Sequence, residues 1–224
     1  MKSIYLKYLG VLALNSLLIA CAGIPMLLKT DQYCKAEVCN DIAVTRSYPK
    51  LEFSEQTEVV KTPVFKLQVP INGTIHKSTL TKKQIVYPNH TGLLVEQVEE
   101  KDFMLDIPKA FSKSRFKVSD YPAIMFLNRL QQPEPADYYD RYIWRLALAN
   151  KGNYFNSGRF YISKMNDFNL YHAEVQVGPI TDMVFITVKD APDVLLKIYN
   201  YGLDKEVFNK VLASVVSIPV RGGF

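Results

Sequence analysis

Three runs in the second half of the chain, Arg159 to Lys164, Leu170 to Val177 and Met183 to Val188, are rich in β-branched and aromatic residues and have the length of strands. Asn166-Asp167 and Gly178-Pro179 fall between them, residue types that reverse a chain within a few positions. Connections this short join antiparallel neighbours and cannot make the crossover that parallel strands require. The region therefore predicts an antiparallel meander, with Val194 to Tyr199 as a candidate fourth strand.

The remaining elements group around it. Upstream, Val64, Phe65, Leu67 and Val69 form a strand pattern stopped by Pro70, and Gln84 to Tyr87 forms a second. Leu93 to Val98 and Asp102 to Ile107 flank Glu99-Glu100-Lys101, a pattern that predicts a hairpin, with Phe103, Leu105 and Ile107 alternating against Met104 and Asp106. Two helices are expected next, Asp120 to Leu130 with Pro122 near its start and Asp137 to Asn150 ending before Gly152, separated by Pro133-Glu134-Pro135. A last helix runs from Asp204 to Val216. Asp204 can cap it, and Val207, Phe208, Val211, Leu212 and Val215 make one apolar stripe. Strands before and after helices, joined by short connections, give an α+β class with a largely antiparallel sheet flanked by helices.

The 224 residues are 48% hydrophobic and 22% charged, enough to build one real core. The expected organisation is a signal segment over 1–20, a tether and irregular approach over 21–60, and a globular domain over 61–224. The formal charge of +5 includes Lys2 and Lys7 of the N-terminal segment and falls to +3 without them. No run of five like charges occurs, so nucleic acid is not an expected partner.

Lys2 and Lys7 precede an almost wholly apolar stretch from Leu9 to Ala20, the arrangement of a secretory signal. It ends in Leu18-Ile19-Ala20-Cys21, which resembles the bacterial lipobox. That resemblance implies transfer of diacylglycerol to the Cys21 thiol, cleavage before it and acylation of the freed amine. Membership of that group would make the membrane the partner of a lipid anchor. Ala22, where Gram-negative lipoproteins retained at the inner membrane commonly carry aspartate, then implies the outer membrane, facing the periplasm or the cell surface. A signal anchor is the other reading, since positions 8 to 28 carry no charge and could span a bilayer. Gly23 and Pro25 weaken a helix where that span must continue.

Two further cysteines, Cys34 and Cys39, could close a small disulfide loop in an oxidising compartment. Five positions apart on a regular helix they would face different ways, so the loop must bend. A metal site lacks the further ligands it needs, because His76, His90 and His172 are dispersed, and no cofactor is expected.

Phe65-Lys66-Leu67-Gln68-Val69-Pro70, together with late strands running into Glu206-Val207-Phe208-Asn209-Lys210-Val211-Leu212, is similar to the Mog1/PsbP-like group of α/β/α sandwiches, which includes lipid-anchored extrinsic proteins. The likeness spans about residues 60 to 218 and implies a fold but no functional residue.

The chain lacks His-Glu-x-x-His, Gly-x-Ser-x-Gly, P-loop and Gly-x-Gly-x-x-Gly patterns. Ser114 and Lys117 match Ser-x-x-Lys, a spacing used by penicillin-recognising enzymes, but no Lys-Thr-Gly strand follows. Tyr138, Arg141, Tyr142 and Arg145 share one helical face and are candidates for gripping a protein or glycan; packing of the same helix is the simpler and favoured reading. The expected function is a non-enzymatic accessory or binding protein of the cell envelope, with an envelope protein or glycan as partner. The alternative is an envelope hydrolase built around Ser114 or a histidine.

Overall fold

The computed structural model describes residues 41–48, 51–103, 105–127, 133–155, 158–165 and 167–219. Its eleven strands are β1 (Val44–Thr45), β2 (Thr57–Lys61), β3 (Phe65–Pro70), β4 (Thr74–Ser78), β5 (Lys82–Val86), β6 (Gly92–Glu99), β7 (Gly158–Met165), β8 (Phe168–Val177), β9 (Ile180–Val188), β10 (Val194–Tyr201) and β11 (Val216–Ser217). Among the described residues four α-helices accompany them: α1 (Ala110–Lys113), α2 (Tyr121–Phe126), α3 (Tyr138–Tyr154) and α4 (Lys205–Ala213). The class is α+β, with a large, mostly antiparallel sheet flanked by helices.

That sheet has the order β1-β7-β8-β9-β10-β6-β5-β4, and only the short β1–β7 pair is parallel. The meander of β7 to β10 forms as its turn chemistry requires. Gly178, at φ +59°, supplies the left-handed residue between β8 and β9. A smaller sheet, β11-β3-β2, lies over one face of the large one together with α4. Period-two alternation fixes its register: Phe65, Leu67 and Val69 of β3 are buried while Lys66 and Gln68 are exposed.

Two hydrophobic cores follow from the sheet having two covered faces. On one side, Ile85, Leu93, Val95, Leu170, Val184, Ile186, Leu196 and Ile198 meet β3 and the Phe208, Val211 and Leu212 stripe of α4. On the other, Phe160, Tyr171, Phe185 and Leu195 meet α1, α2 and α3. Phe126 centres that side, with the rings of Phe155, Phe160, Tyr171 and Phe185 packed edge-on around it.

Several features differ from expectation: α2 ends at Phe126 with Leu127 extended, α4 ends at Ala213 with Val216 in β11, and three further differences concern packing. The described residues of 102–107 form no strand: both edges of β6 are already taken by β5 and β10, so a further hairpin partner has nowhere to pair. Instead Glu100–Asp102 is a 3-10 turn, the Glu100 carboxylate accepts from the Phe111 amide at the start of α1, and Phe103 packs on Phe111 and Tyr121 at 4.8 and 4.9 Å. Helix α3 continues through Gly152 to Tyr154 rather than stopping at Asn150, since burial of Phe155 and Lys151 holds its last turn down. The stretch up to residue 60, expected to be irregular, contributes β1 and nearly all of β2.

Candidate functional site

The register of the meander brings an unexpected set of polar side chains together on the α4 face. Glu174 of β8 stands opposite Arg159 of β7 and Asp182 of β9, and Asp182 stands opposite Asn200 of β10. One step further along the strands, His172 stands opposite Tyr161 and Val184. Residues i and i+2 share a face of a strand, so His172 and Glu174 both point toward α4.

His172 is 1% exposed, and both ring nitrogens are occupied. Its Nε2 lies 2.8 Å from Asp182 Oδ1, and its Nδ1 meets the Tyr48 hydroxyl. A carboxylate accepts, so Nε2 carries the proton and Nδ1 accepts from Tyr48. Burial above all, against a smaller pull from Arg46, pushes the Tyr48 phenol well above its ordinary value, so it remains a donor. Burial works against ionisation of Asp182, yet the hydrogen bonds from His172, Thr181 and Asn200 win and hold it below the usual carboxylate range. Asn200 then turns the chain into α4 by accepting from the Leu203 amide at 2.8 Å.

A second set extends this row. Glu174 accepts from Arg46 at 2.9 Å and Lys205 at 3.0 Å, and the Tyr161 hydroxyl reaches its other oxygen at 3.3 Å. The Arg46 guanidinium lies over the rings of Tyr161 and Tyr48 at 4.7 and 5.1 Å. Despite the cost of burial, the two cations keep Glu174 below its ordinary range. An open cleft of about 600 Å³ lies above, with Glu174, Asp182, Thr181, Arg159 and Lys205 in its wall.

Chemically, this arrangement is a clamp. Arg46 and Tyr48 belong to the segment that precedes the small sheet, and each is tied to a residue of β8 more than a hundred positions away. Lys151, 0% exposed, adds a third tie by donating to the Asp41 carbonyl at 3.2 Å as well as to Leu127 at 3.3 Å. Burial lowers its ammonium to about 8, with Asp41 pulling the other way. Lys197, over the rings of Phe185 and Tyr199, is also lowered to about 8 by burial. Among the described residues no group of three or more His, Cys, Asp or Glu side chains could hold a metal ion.

The residues singled out from the sequence fall elsewhere. Cys21, Cys34 and Cys39 lie outside the described residues. Ser114 is buried and donates to Asp140 at 2.7 Å, whose other oxygen takes Arg115 at 2.8 Å, while the Lys117 amide is bound to Asp120 and Lys117 lines a cleft whose wall does not include Ser114. The four residues of the α3 face do not share one exposed surface. Tyr138 is 62% exposed, Tyr142 is in the core with its oxygen accepting from the Asp106 amide, and Arg141 and Arg145 hold the loop before the helix through Pro135 and Glu134. The α3 face is thus mostly used in packing its own approach.

His172, Glu174 and Asp182 were readable in one respect. Their parity with Leu170 and Val184 places them on a covered face, and the reversal at 178–179 sets Glu174 near Asp182. Tyr48 and Arg46 carry no comparable signal, because nothing local fixes where a chain outside the meander crosses it. In comparisons with known proteins, no family model and no curated protein matches this chain.

Proposed function

We propose that the chain is a lipid-anchored extracytoplasmic protein of the bacterial envelope, and that its domain is a non-enzymatic accessory or binding module. The domain is read as a Mog1/PsbP-like sandwich, supported by the Phe65–Pro70 strand lying beside α4 over an antiparallel sheet. The anchor is Cys21, in the outer membrane, with Lys2 and Lys7 left on the cytoplasmic side before cleavage.

The observation that carries this reading is the clamp on residues 41–48. Twenty positions separate Cys21 from Asp41, a reach of at most about 70 Å when fully extended. A chain fastened to its own sheet by Tyr48, Arg46 and the Asp41 carbonyl sets the point on the domain at which the tether is received. Such fastening serves a module that meets its ligand from a membrane surface.

Fractionation of cells producing the full chain, followed by cross-linking, tests it. The protein is expected in washed membranes, cross-linked to an envelope protein or retained on envelope glycan. Recovery of the wild type in the soluble fraction would contradict the anchor, and absence of any envelope ligand would contradict the binding role.

The hydrolase reading has one observation in its favour, the His172–Asp182 pair beneath the 600 Å³ cleft. It has against it that His172 offers no free nitrogen and is closed off from the cleft by Asp182 and Tyr48. Ester or glycoside hydrolysis abolished by His172→Gln, with the fold intact, would revive it.

A further inference from the structure

From Val59 to Val95 the chain carries five lysines and no aspartate or glutamate. The fold gathers these cations around two neighbouring turns. Lys61 and Lys66 stand opposite each other beside the β2–β3 turn, and Lys77, Lys82 and Lys83 flank the tip of the β4–β5 hairpin. Gln97 joins the two turns: its amide donates to the Thr81 carbonyl at 2.7 Å, and its side-chain oxygen accepts from the Val64 amide at 2.9 Å. The acids around them leave most of the charge uncancelled. Glu96 takes Lys82 at 3.0 Å, Glu99 takes Lys101 at 2.8 Å, and Glu58, opposite the buried Val69, lies on the inner face of the small sheet. Lys83 is bound only to the Ser78 hydroxyl. Lys61, Lys66 and Lys77 are exposed and form no ion pair among the described residues.

Apolar side chains stand exposed among these cations. Leu80, at the tip of the β4–β5 hairpin, is 81% exposed, more than any other large hydrophobic residue described. Val59 shares the outer face of the small sheet with Lys61, and Val216 stands opposite Lys66 on that face; both valines are exposed. Lysines on the free edge strand β4 would by themselves deter strand pairing. That role needs neither an apolar tip nor the cations of the second sheet. The residue types then select the partner. Residues 59–95 hold no arginine and no tryptophan, and Phe65 and Tyr87 are buried. Protein interfaces draw their energy from tryptophan, tyrosine and arginine rather than leucine and valine, and single-stranded nucleic acid needs rings on which to stack. Lysine heads around a projecting leucine instead suit a surface that is anionic outside and apolar just beneath.

We propose that this end of the domain docks on an anionic phospholipid surface, with Leu80 entering the headgroup layer and Lys61, Lys66, Lys77 and Lys83 meeting lipid phosphates. This deepens the reading of an anchored module by naming what its basic end meets, and it rests on the anchor for keeping the domain at a membrane.

The test places the full chain with vesicles of phosphatidylcholine alone or mixed with phosphatidylglycerol, made with or without brominated acyl chains. Trp144, the one tryptophan, is buried, so Leu80→Trp adds a reporter at the hairpin tip. Brominated chains are expected to quench it in the anionic vesicles and not in the neutral ones. Molar salt, which screens exposed charges within about 3 Å, should restore the emission. Each lysine near such a surface is worth about fivefold in partition, so Lys66→Gln with Lys77→Gln lowers the docked-to-free ratio about 25-fold without moving the melting temperature. Protection of the wild-type hairpin lysines from amine labelling by anionic vesicles gives the same reading should the Leu80 variant fold poorly. Sedimentation with neutral vesicles reads the anchor alone. A chain that stays out of that pellet yet is quenched in anionic vesicles loses the anchor and keeps the docking surface. Quenching in neither lipid, equal quenching in both, or quenching that the double lysine variant leaves unchanged would each overturn the proposal, the first leaving the patch to a protein partner.

Discussion

His172 occupies the volume of a leucine, but a leucine there would strand the Tyr48 hydroxyl and Asp182 Oδ1 below the protein surface. His172→Leu is therefore expected to cost about 3 kcal/mol, the scale of breaking a buried, partly charged network, measured as a shift of the denaturant midpoint. A loss under about 1 kcal/mol would mean the clamp holds nothing. Lys151 gives a pH-dependent counterpart. Its folded value near 8 lies below its ordinary 10.5, so the unfolded chain binds more protons between the two. The burden of burying its charge is then present in full below about 8, and stability rises with pH across the window from about 8 to 10.5. Melting temperatures of wild type and Lys151→Met, followed from neutral to alkaline pH, should converge or cross in that window through the wild type's relative gain; parallel curves would contradict it. At this scale the sequence reveals parity and charge but not partners. His172 sat in a recognisable strand, yet its meaning depends on Tyr48, which no periodicity locates.

At the scale of elements, local chemistry was legible wherever it was decisive. Asp137 and Asp204 cap α3 and α4 through the amides two and three positions on, and for Asp204 its place before the apolar stripe implied it. Asp137→Ala should cost about 1 kcal/mol by thermal or denaturant unfolding. Gly178→Ala forces a Cβ into a left-handed position and should cost about 1 kcal/mol although nothing stands within 4 Å of that Cβ; no loss would show that the β8–β9 turn relaxes freely. What failed was the choice of pairing. Phe103, Leu105 and Ile107 alternate as a strand would, but the non-local pairing of β6 with β10 fills the edge such a strand needed. Alternation reports that one side of a segment is buried, and a loop wrapped over α1 and α2 satisfies it as well as a strand does. The extra turn of α3 has the same origin, since Gly152 weakens the helix locally while the packing of Phe155 holds it together.

At the scale of the whole molecule, the antiparallel sheet followed from turn lengths, whereas the two-sided covering did not. Strands β6, β9 and β10 bury residues on both faces, so their sequences approach continuous apolar runs and carry little sign of which layer meets which face. The small sheet and α4 take one face and α1 to α3 the other, and the segment at 41–48 is fastened at the margin of the first. This fastened chain is proposed to lead back to a lipid on Cys21. Labelling cells with a fatty-acid analogue, for the wild type and for Cys21→Ser, measures it most directly, because that thiol is the acceptor the lipobox resemblance specifies. The expected result is a labelled wild-type protein that begins at Cys21 and sediments with membranes, beside an unlabelled Cys21→Ser protein whose domain melts at the same temperature. Equal labelling of the two, or a mature protein that still carries residues 1–20, would contradict it and favour an uncleaved signal anchor.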